Sequence, residues 1–202
     1  RFRLAPRPLI AVEALGAFKP LAESGDAEAQ YRMCLLYGGG KGVETDVRTA
    51  LDWFRKAAVG GNLKAKHNFA YMYYFGAGVR RDYEKAAAMF KETSEAGLGR
   101  ADYDLGRLYY RGQGVEKDAA KATAQFRKAV KKGHGEAQFF MGRLYMLGQG
   151  VEKDPVKAYY WLTLSIAQDT EKAAKLQRKV SGDLDSKQIA QAEQDAQAFR
   201  PN

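Results

Sequence analysis

The segment Leu105-Gly-Arg-Leu-Tyr-Tyr-Arg-Gly-Gln-Gly-Val-Glu-Lys-Asp118 returns 36 residues later as Met141-Gly-Arg-Leu-Tyr-Met-Leu-Gly-Gln-Gly-Val-Glu-Lys-Asp154. Looser copies occur at the same spacing upstream, from Phe69 to Asp82 and from Met33 to Asp46. A fixed period of this size constrains the fold more than any other feature. One unit cannot bury its own apolar face, so neighbours must stack into an array.

Each column of the repeat has a physical reason. Tyr37, Tyr73, Tyr109 and Tyr145 close a first helix with a ring that wedges between helices and keeps its hydroxyl wet. The pairs Gly40/Gly42, Gly76/Gly78, Gly112/Gly114 and Gly148/Gly150 supply the positive φ of a tight reversal. Val43, Val79, Val115 and Val151 plug that turn onto the core. Asp46, Asp82, Asp118 and Asp154 stand where an N-cap belongs, and Pro155 fits the first helical position after it. Ala50, Ala86, Ala122 and Ala158 let helices approach closely. Phe54, Phe90, Phe126 and Leu162 fill the space between pairs, and Gly61, Gly97 and Gly133 stop the second helix.

The pattern Ala-x-x-x-Leu-Gly-x-Leu-Tyr-x-x-Gly-x-Gly-Val-x-x-Asp-x-x-Lys-Ala resembles the Sel-one-like repeat, a relative of the tetratricopeptide repeat. Ala101–Ala122 and Ala137–Ala158 carry it almost residue for residue. Cys34 and Ala70 replace the glycine of that column in the first two copies, and Gly38-Gly39 weakens the first helix end. The resemblance implies an all-α, right-handed α/α superhelical solenoid. It also implies a bacterial protein- or peptide-binding scaffold whose first helices line a concave groove.

Taken in order, the chain reads as an extended arm over residues 1–8 and a half-repeat helix over 9–24. Four repeats follow over 25–168 (25–60, 61–96, 97–132, 133–168), then C-terminal capping helices over 169–202. The expected first helices are 27–38, 63–74, 99–110 and 135–146, and the second helices 46–59, 82–95, 118–131 and 154–168. Pro20 falls inside the half-repeat helix and should bend it near Gly16. Asp185 with Gln188 makes a capping box, and Ile189, Ala192, Ala196 and Phe199 form one apolar stripe at helical spacing. The apolar face of the half-repeat (Leu9, Ile10, Val12, Leu15, Phe18) lacks its paired first helix, which points to cover by the arm, by an upstream segment or by self-association.

The net charge is +9, and residues 97–132 alone contribute +5. The single cysteine excludes an internal disulfide framework and fits either redox compartment. No apolar run approaches the ~20 residues of a membrane span. Numbering from Arg1 rather than Met fits removal of an upstream segment, and a signal peptide or an artificially chosen start would look the same; the location is left open, with periplasmic or secreted preferred over cytoplasmic.

The chemistry-bearing residues are few. Two histidines, His67 and His134, have no partners at metal-ligand spacing. Cys34 shares a column with Ala70, Gly106 and Gly142, a close-packed small-residue site where a thiol is inert. The Gly-x-Gly turns follow no strand and lack the Gly-Lys-Ser/Thr of a phosphate loop. The reading is therefore no catalytic residues, no metal and no cofactor. In the third repeat Ala101, Leu105 and Leu108 face the core, so Tyr103, Arg107 and Tyr110 should point away from it. An ordinary exposed face would be Lys, Glu and Gln. This one is aromatic with arginines, the types enriched at protein interfaces. Its expected members are Tyr71, Tyr74, Tyr103, Arg107, Tyr110, Arg111, Phe139 and Arg143. The alternative for the first column (Tyr31, His67, Tyr103, Phe139) is packing against the preceding repeat. The partner expected is a protein or peptide segment with acidic groups, paired to the arginines. Nucleic-acid binding through the basic third repeat is the second reading; Asp102 and Asp104 beside the groove, and Lys121, Arg127, Lys128, Lys131 and Lys132 on a helix facing away from it, weigh against that. A hydrolase is the third, and no residue set supports it.

Overall fold

A computed structural model describes residues 7–40, 43–168 and 171–200, and every regular element among them is an α-helix. Two compact units divide the chain after Ala96.

The first unit holds α1 (Arg7–Glu23), α2 (Ala27–Gly39), α3 (Val47–Val59), α4 (Leu63–Phe75) and α5 (Tyr83–Glu95), each packed on the next. Residues 1–6 of the expected arm, and Gly42 of the first turn, lie outside the described residues. Arg7 and Pro8 already belong to α1, since proline is tolerated in a first helical turn. Pro20 sits inside that helix. Ala22, Ala29 and Met33 form one core, with Phe18, Tyr37 and Trp53 packed around it, and Ala57, Ala58 and Ala65 form another beneath Phe54 and Phe69.

The second unit holds α6 (Gly99–Arg111), α7 (Ala119–Lys131), α8 (Gly135–Leu147) and α9 (Pro155–Ile166). Against α9 pack both α10 (Glu171–Ser181) and α11 (Ser186–Ala198). Phe126, Phe140, Met141 and Leu144 fill its first core, and Leu162, Val180 and Ala192 its second.

The joint between the helices of a pair repeats as one design. The N-cap Asp backbone N–H donates to the carbonyl of the tyrosine that closes the first helix: Asp46 to Tyr37 (3.1 Å), Asp82 to Tyr73 (2.9 Å), Asp118 to Tyr109 (2.9 Å) and Asp154 to Tyr145 (3.0 Å). The same aspartates accept from backbone N–H groups in the first turn of the second helix, a cap contributing about 1 kcal/mol each. In the last three repeats a lysine three residues on pairs with that carboxylate, at 3.4, 3.3 and 2.8 Å for Lys85, Lys121 and Lys157. Each ammonium also lies over the tyrosine ring, at 5.4, 5.7 and 5.6 Å. Thr49 takes the lysine's place in the first repeat, donating to Asp46 at 2.7 Å.

Small residues set the spacing within a pair. A Cβ on Gly106 would come 2.7 Å from Phe126 Cε1, and one on Gly142 2.6 Å from Leu162 Cγ. Both are closer than packed atoms sit. Cys34 occupies this column in the first repeat. It is fully buried, donates to the Tyr31 carbonyl at 2.9 Å, and burial pushes its thiol up to about 12. That is the chemistry of an inert packing residue.

The C-terminal helices form as their spacing predicts. Asp185 accepts from the Lys187 and Gln188 N–H groups at 2.8 and 2.9 Å, and the Gln188 side chain accepts from the Asp185 N–H at 3.0 Å. Ala192 and Ala196 are buried, Ile189 packs on the Leu162 cluster, and the Tyr159 hydroxyl donates to Glu193 at 3.0 Å.

Candidate protein-binding face

Six of the eight expected site residues lie in the second unit, on α6 and α8. Tyr103, Arg107, Tyr110 and Arg111 follow one another on α6 at helical spacing, and Phe139 and Arg143 sit on α8. Arg107 lies over the Tyr103 ring at 5.5 Å, a contact between successive turns of one helix. Arg143 reaches across to the Tyr110 ring at 5.4 Å. That second contact joins a guanidinium of one repeat to an aromatic ring of the repeat before it, so arginine and ring chemistry from α6 and α8 share one face. Among the described residues Arg143 makes no ion pair.

Tyr103 does not point clear of the core as its column suggests. Its ring stacks on His134 at 4.3 Å and 21°, and tilts against Phe126 and Phe140 at 6.1 and 6.0 Å. Burial pushes its hydroxyl up to about 12. Tyr103 thus packs between repeats, with the repeat that follows rather than the one that precedes, whereas the rings of Tyr31 and His67 meet Phe54 and Phe90 of their own repeats. His134, the residue before α8, is held below the ordinary histidine range, first by burial and then by Arg100. The stack is therefore neutral at neutral pH. Tyr110 meets Phe140 edge-on at 5.5 Å, and Phe139 does the same at 5.6 Å while touching both cores. Both are half-buried. Arg111 is exposed in the last turn of α6.

Tyr71 and Tyr74 belong to the first unit, on α4. Tyr71 is half-buried, edge-on to His67 and Phe90 and stacked on Phe75 at 5.9 Å and 6°. Tyr74 is buried, at 9% exposure, against Phe75 and Tyr83; the aromatic-rich α4 gives it a pocket, which corrects its expected exposure. Sequence reasoning missed Phe75, which is 64% exposed. Its signal was the column itself: Arg111 and Leu147 stand 36 and 72 residues on, and both are exposed.

The acidic groups of the third repeat also differ from expectation. Asp102 and Asp104 are buried rather than lining a groove. Asp102 takes the Lys132 ammonium at 3.0 Å, and Lys132 also donates to the Gly97 carbonyl at 3.0 Å. Asp104 faces Arg107 at 3.7 Å. Lys121, Arg127, Lys128, Lys131 and Lys132 are all exposed, as expected of a solvated face; within it Lys121 pairs with Asp118, Arg127 donates to the Tyr145 hydroxyl at 3.4 Å, and the Lys132 ammonium reaches the buried Asp102. Among the described residues no three His, Cys, Asp or Glu side chains gather to hold a metal ion, and no helix is long and apolar enough to cross a membrane.

Comparison with known proteins agrees with the repeat architecture. The Sel1 repeat family model matches residues 27–62, 63–98, 99–134 and 135–170. The crystal structure of c5321, a protective antigen present in uropathogenic Escherichia coli strains and displaying an SLR fold, matches with 32% identity and a TM-score of 0.80. The match covers 91% of this chain and 40% of that one, so this chain spans well under half of the Escherichia coli protein. A Sel1 repeat protein from Oxalobacter formigenes matches with 29% identity and a TM-score of 0.76, over 93% of this chain and 79% of that one. No curated protein matches. Sel1 repeat proteins are generally non-catalytic scaffolds for protein–protein interaction. With four tandem copies and an all-helical fold of paired helices, this chain belongs to the Sel1 repeat family, an α-helical solenoid class.

Proposed function

We propose that this protein is a non-catalytic adaptor that captures a protein segment bearing acidic groups on the arginine–tyrosine face of α6 and α8. The observation that carries this reading is Arg143 over Tyr110: it brings a guanidinium that makes no ion pair among the described residues onto a half-buried ring of the helix that also carries Arg107 and Arg111. Rings fixed by their own packing give contact area at little entropy cost, and a planar guanidinium takes a carboxylate in two parallel hydrogen bonds. Tyr71 and the exposed Phe75 of α4 offer a second aromatic contact in the first unit. The pairing of Lys132 with Asp102 and of Lys121 with Asp118 disfavours a nucleic-acid surface on the third repeat.

The test is affinity capture from a native lysate with the wild-type chain and Arg143→Glu in parallel, followed by titration of the captured protein. Charge reversal should weaken binding at least about tenfold, or about 1.4 kcal/mol, with the melting temperature unchanged. Arg107→Glu is the poorer probe, because Arg107 faces the buried Asp104. Equal affinity for both forms would remove this face as the site.

A second reading, self-association, has its own support. A cavity of about 620 Å³ in the first unit is lined by Phe18, Leu35, Leu36 and Phe54, with Leu21 and Leu35 exposed. Sedimentation showing a strict monomer at high concentration would remove it.

A further inference from the structure

The second unit contains a cavity that shares no residue with the arginine–tyrosine face. It lies where α11 packs on α9, has a volume of about 500 Å³, and is walled by Tyr145, Tyr160, Trp161 and Phe199. Tyr160 and Trp161 meet at 4.9 Å and 74°, and Trp161 and Phe199 at 6.2 Å and 73°. These are edge-to-face contacts, in which the rings brace one another without stacking. The volume lies in the range of small-ligand sites.

Two charged groups stand at its edge. Lys157 is already neutralised by Asp154 at 2.8 Å and spread over the Tyr145 ring. Asp195 is not: its carboxylate accepts only from the neutral Gln191 amide at 2.8 Å, and among the described residues no cation pairs with it. In a chain with nine more cations than anions, a carboxylate left unpaired beside aromatic walls is an uneven feature. Asp195 and Tyr160 line the same cavity, and the Tyr160 hydroxyl is held above its ordinary range first by burial and then by that carboxylate. Ring faces carry partial negative charge and favour a flat, weakly hydrated cation over an anion.

We propose that this cavity binds the side chain of an arginine on a partner polypeptide, its guanidinium against the rings of Trp161 and Tyr160 and paired with Asp195. The site complements the acid-binding face without depending on it: one surface would take anionic groups and the other a cationic one.

The experiment is a ¹H–¹⁵N NMR titration of the full chain with the peptide acetyl-Gly-Arg-Gly-amide, read at the Trp161 indole N–H and assigned by comparison with Trp53→Phe. Controls are the citrulline peptide, which keeps the shape and loses the charge, the lysine peptide, and free guanidinium chloride. The expected result is a saturable shift at Trp161 with the arginine peptide, at least threefold weaker with citrulline and lysine. Asp195→Asn should weaken it about two- to fivefold, as for a solvent-facing pair, and Asp195→Lys should abolish saturation. Asp195 is exposed, so both variants should keep the wild-type spectrum elsewhere. Equal binding of the citrulline peptide, indifference to Asp195→Lys, saturation by free guanidinium as tight as by the peptide, or no shift at millimolar peptide would each overturn the proposal. Failure of Arg143→Glu to change partner capture leaves it standing, because that variant alters the other face.

Discussion

Gly150 is where backbone conformation and close packing act together, so alanine there should cost more than conformation alone explains. Its φ is +70°, a region in which a residue with a Cβ is strained by about 1–2 kcal/mol. A Cβ at that point would also run into the backbone of the preceding repeat, at the Ala119 carbonyl and the Ala120 nitrogen, where no side chain can swing aside. Gly148 separates the two effects. Its φ is +65°, but its added Cβ would meet nothing closer than Lys153 Cβ at 3.3 Å. Both substitutions stiffen the unfolded chain equally, a gain of about 0.4–1 kcal/mol that cancels in the comparison. Gly148→Ala should therefore cost up to about 1.5 kcal/mol, and Gly150→Ala about 2–4 kcal/mol once a displaced helix start is added. Urea unfolding followed by circular dichroism reads the difference directly, provided the slopes agree. If the two variants unfold within about 0.5 kcal/mol of each other, the approach of this turn to α7 is not a stabilising constraint. Gly114 repeats the φ, at +68°, and Gly114→Val should also cost about 1 kcal/mol or more.

Deleting residues 183–202 should expose the α9 surface that Ala192 and Ala196 cover and remove the Tyr159–Glu193 bond, lowering the melting temperature by several degrees and promoting aggregation; a truncated chain that melts like the parent and stays monodisperse in light scattering would refute the capping role. The lowered pKa of His134 means the unfolded chain binds a proton more readily than the folded one, so stability should fall as pH drops from about 7 through the unfolded value near 6.5 toward the lower folded value. His134→Phe, which keeps a ring against Tyr103, should show a smaller fall between pH 7.5 and 5.5 in thermal melts, and identical slopes would mean His134 is not the group responsible.

Much of this molecule was legible in its sequence because a repeat states each instruction four times. The 36-residue period, the N-cap aspartates and the turn glycines are local signals, and local signals need only the chain's own stereochemistry to be read. The helices accordingly begin and end within a residue or two of the positions their caps predict. What the sequence could not decide was the direction in which a half-apolar side chain turns. Tyr103 and Tyr110 stand on one helix face, yet the stack on His134 holds Tyr103 between repeats, while Tyr110 receives Arg143. Lys132 and Asp102 are 30 residues apart and carry no motif, and only packing brings that ammonium to a buried carboxylate. The same limit hid the pocket at Asp195, whose walls come from α8, α9 and the residues around the end of α11. Capping and turn formation are settled by neighbours in the chain, whereas burial and ion pairing depend on which surfaces the stacked helices bring together, and that information exists only once they have stacked.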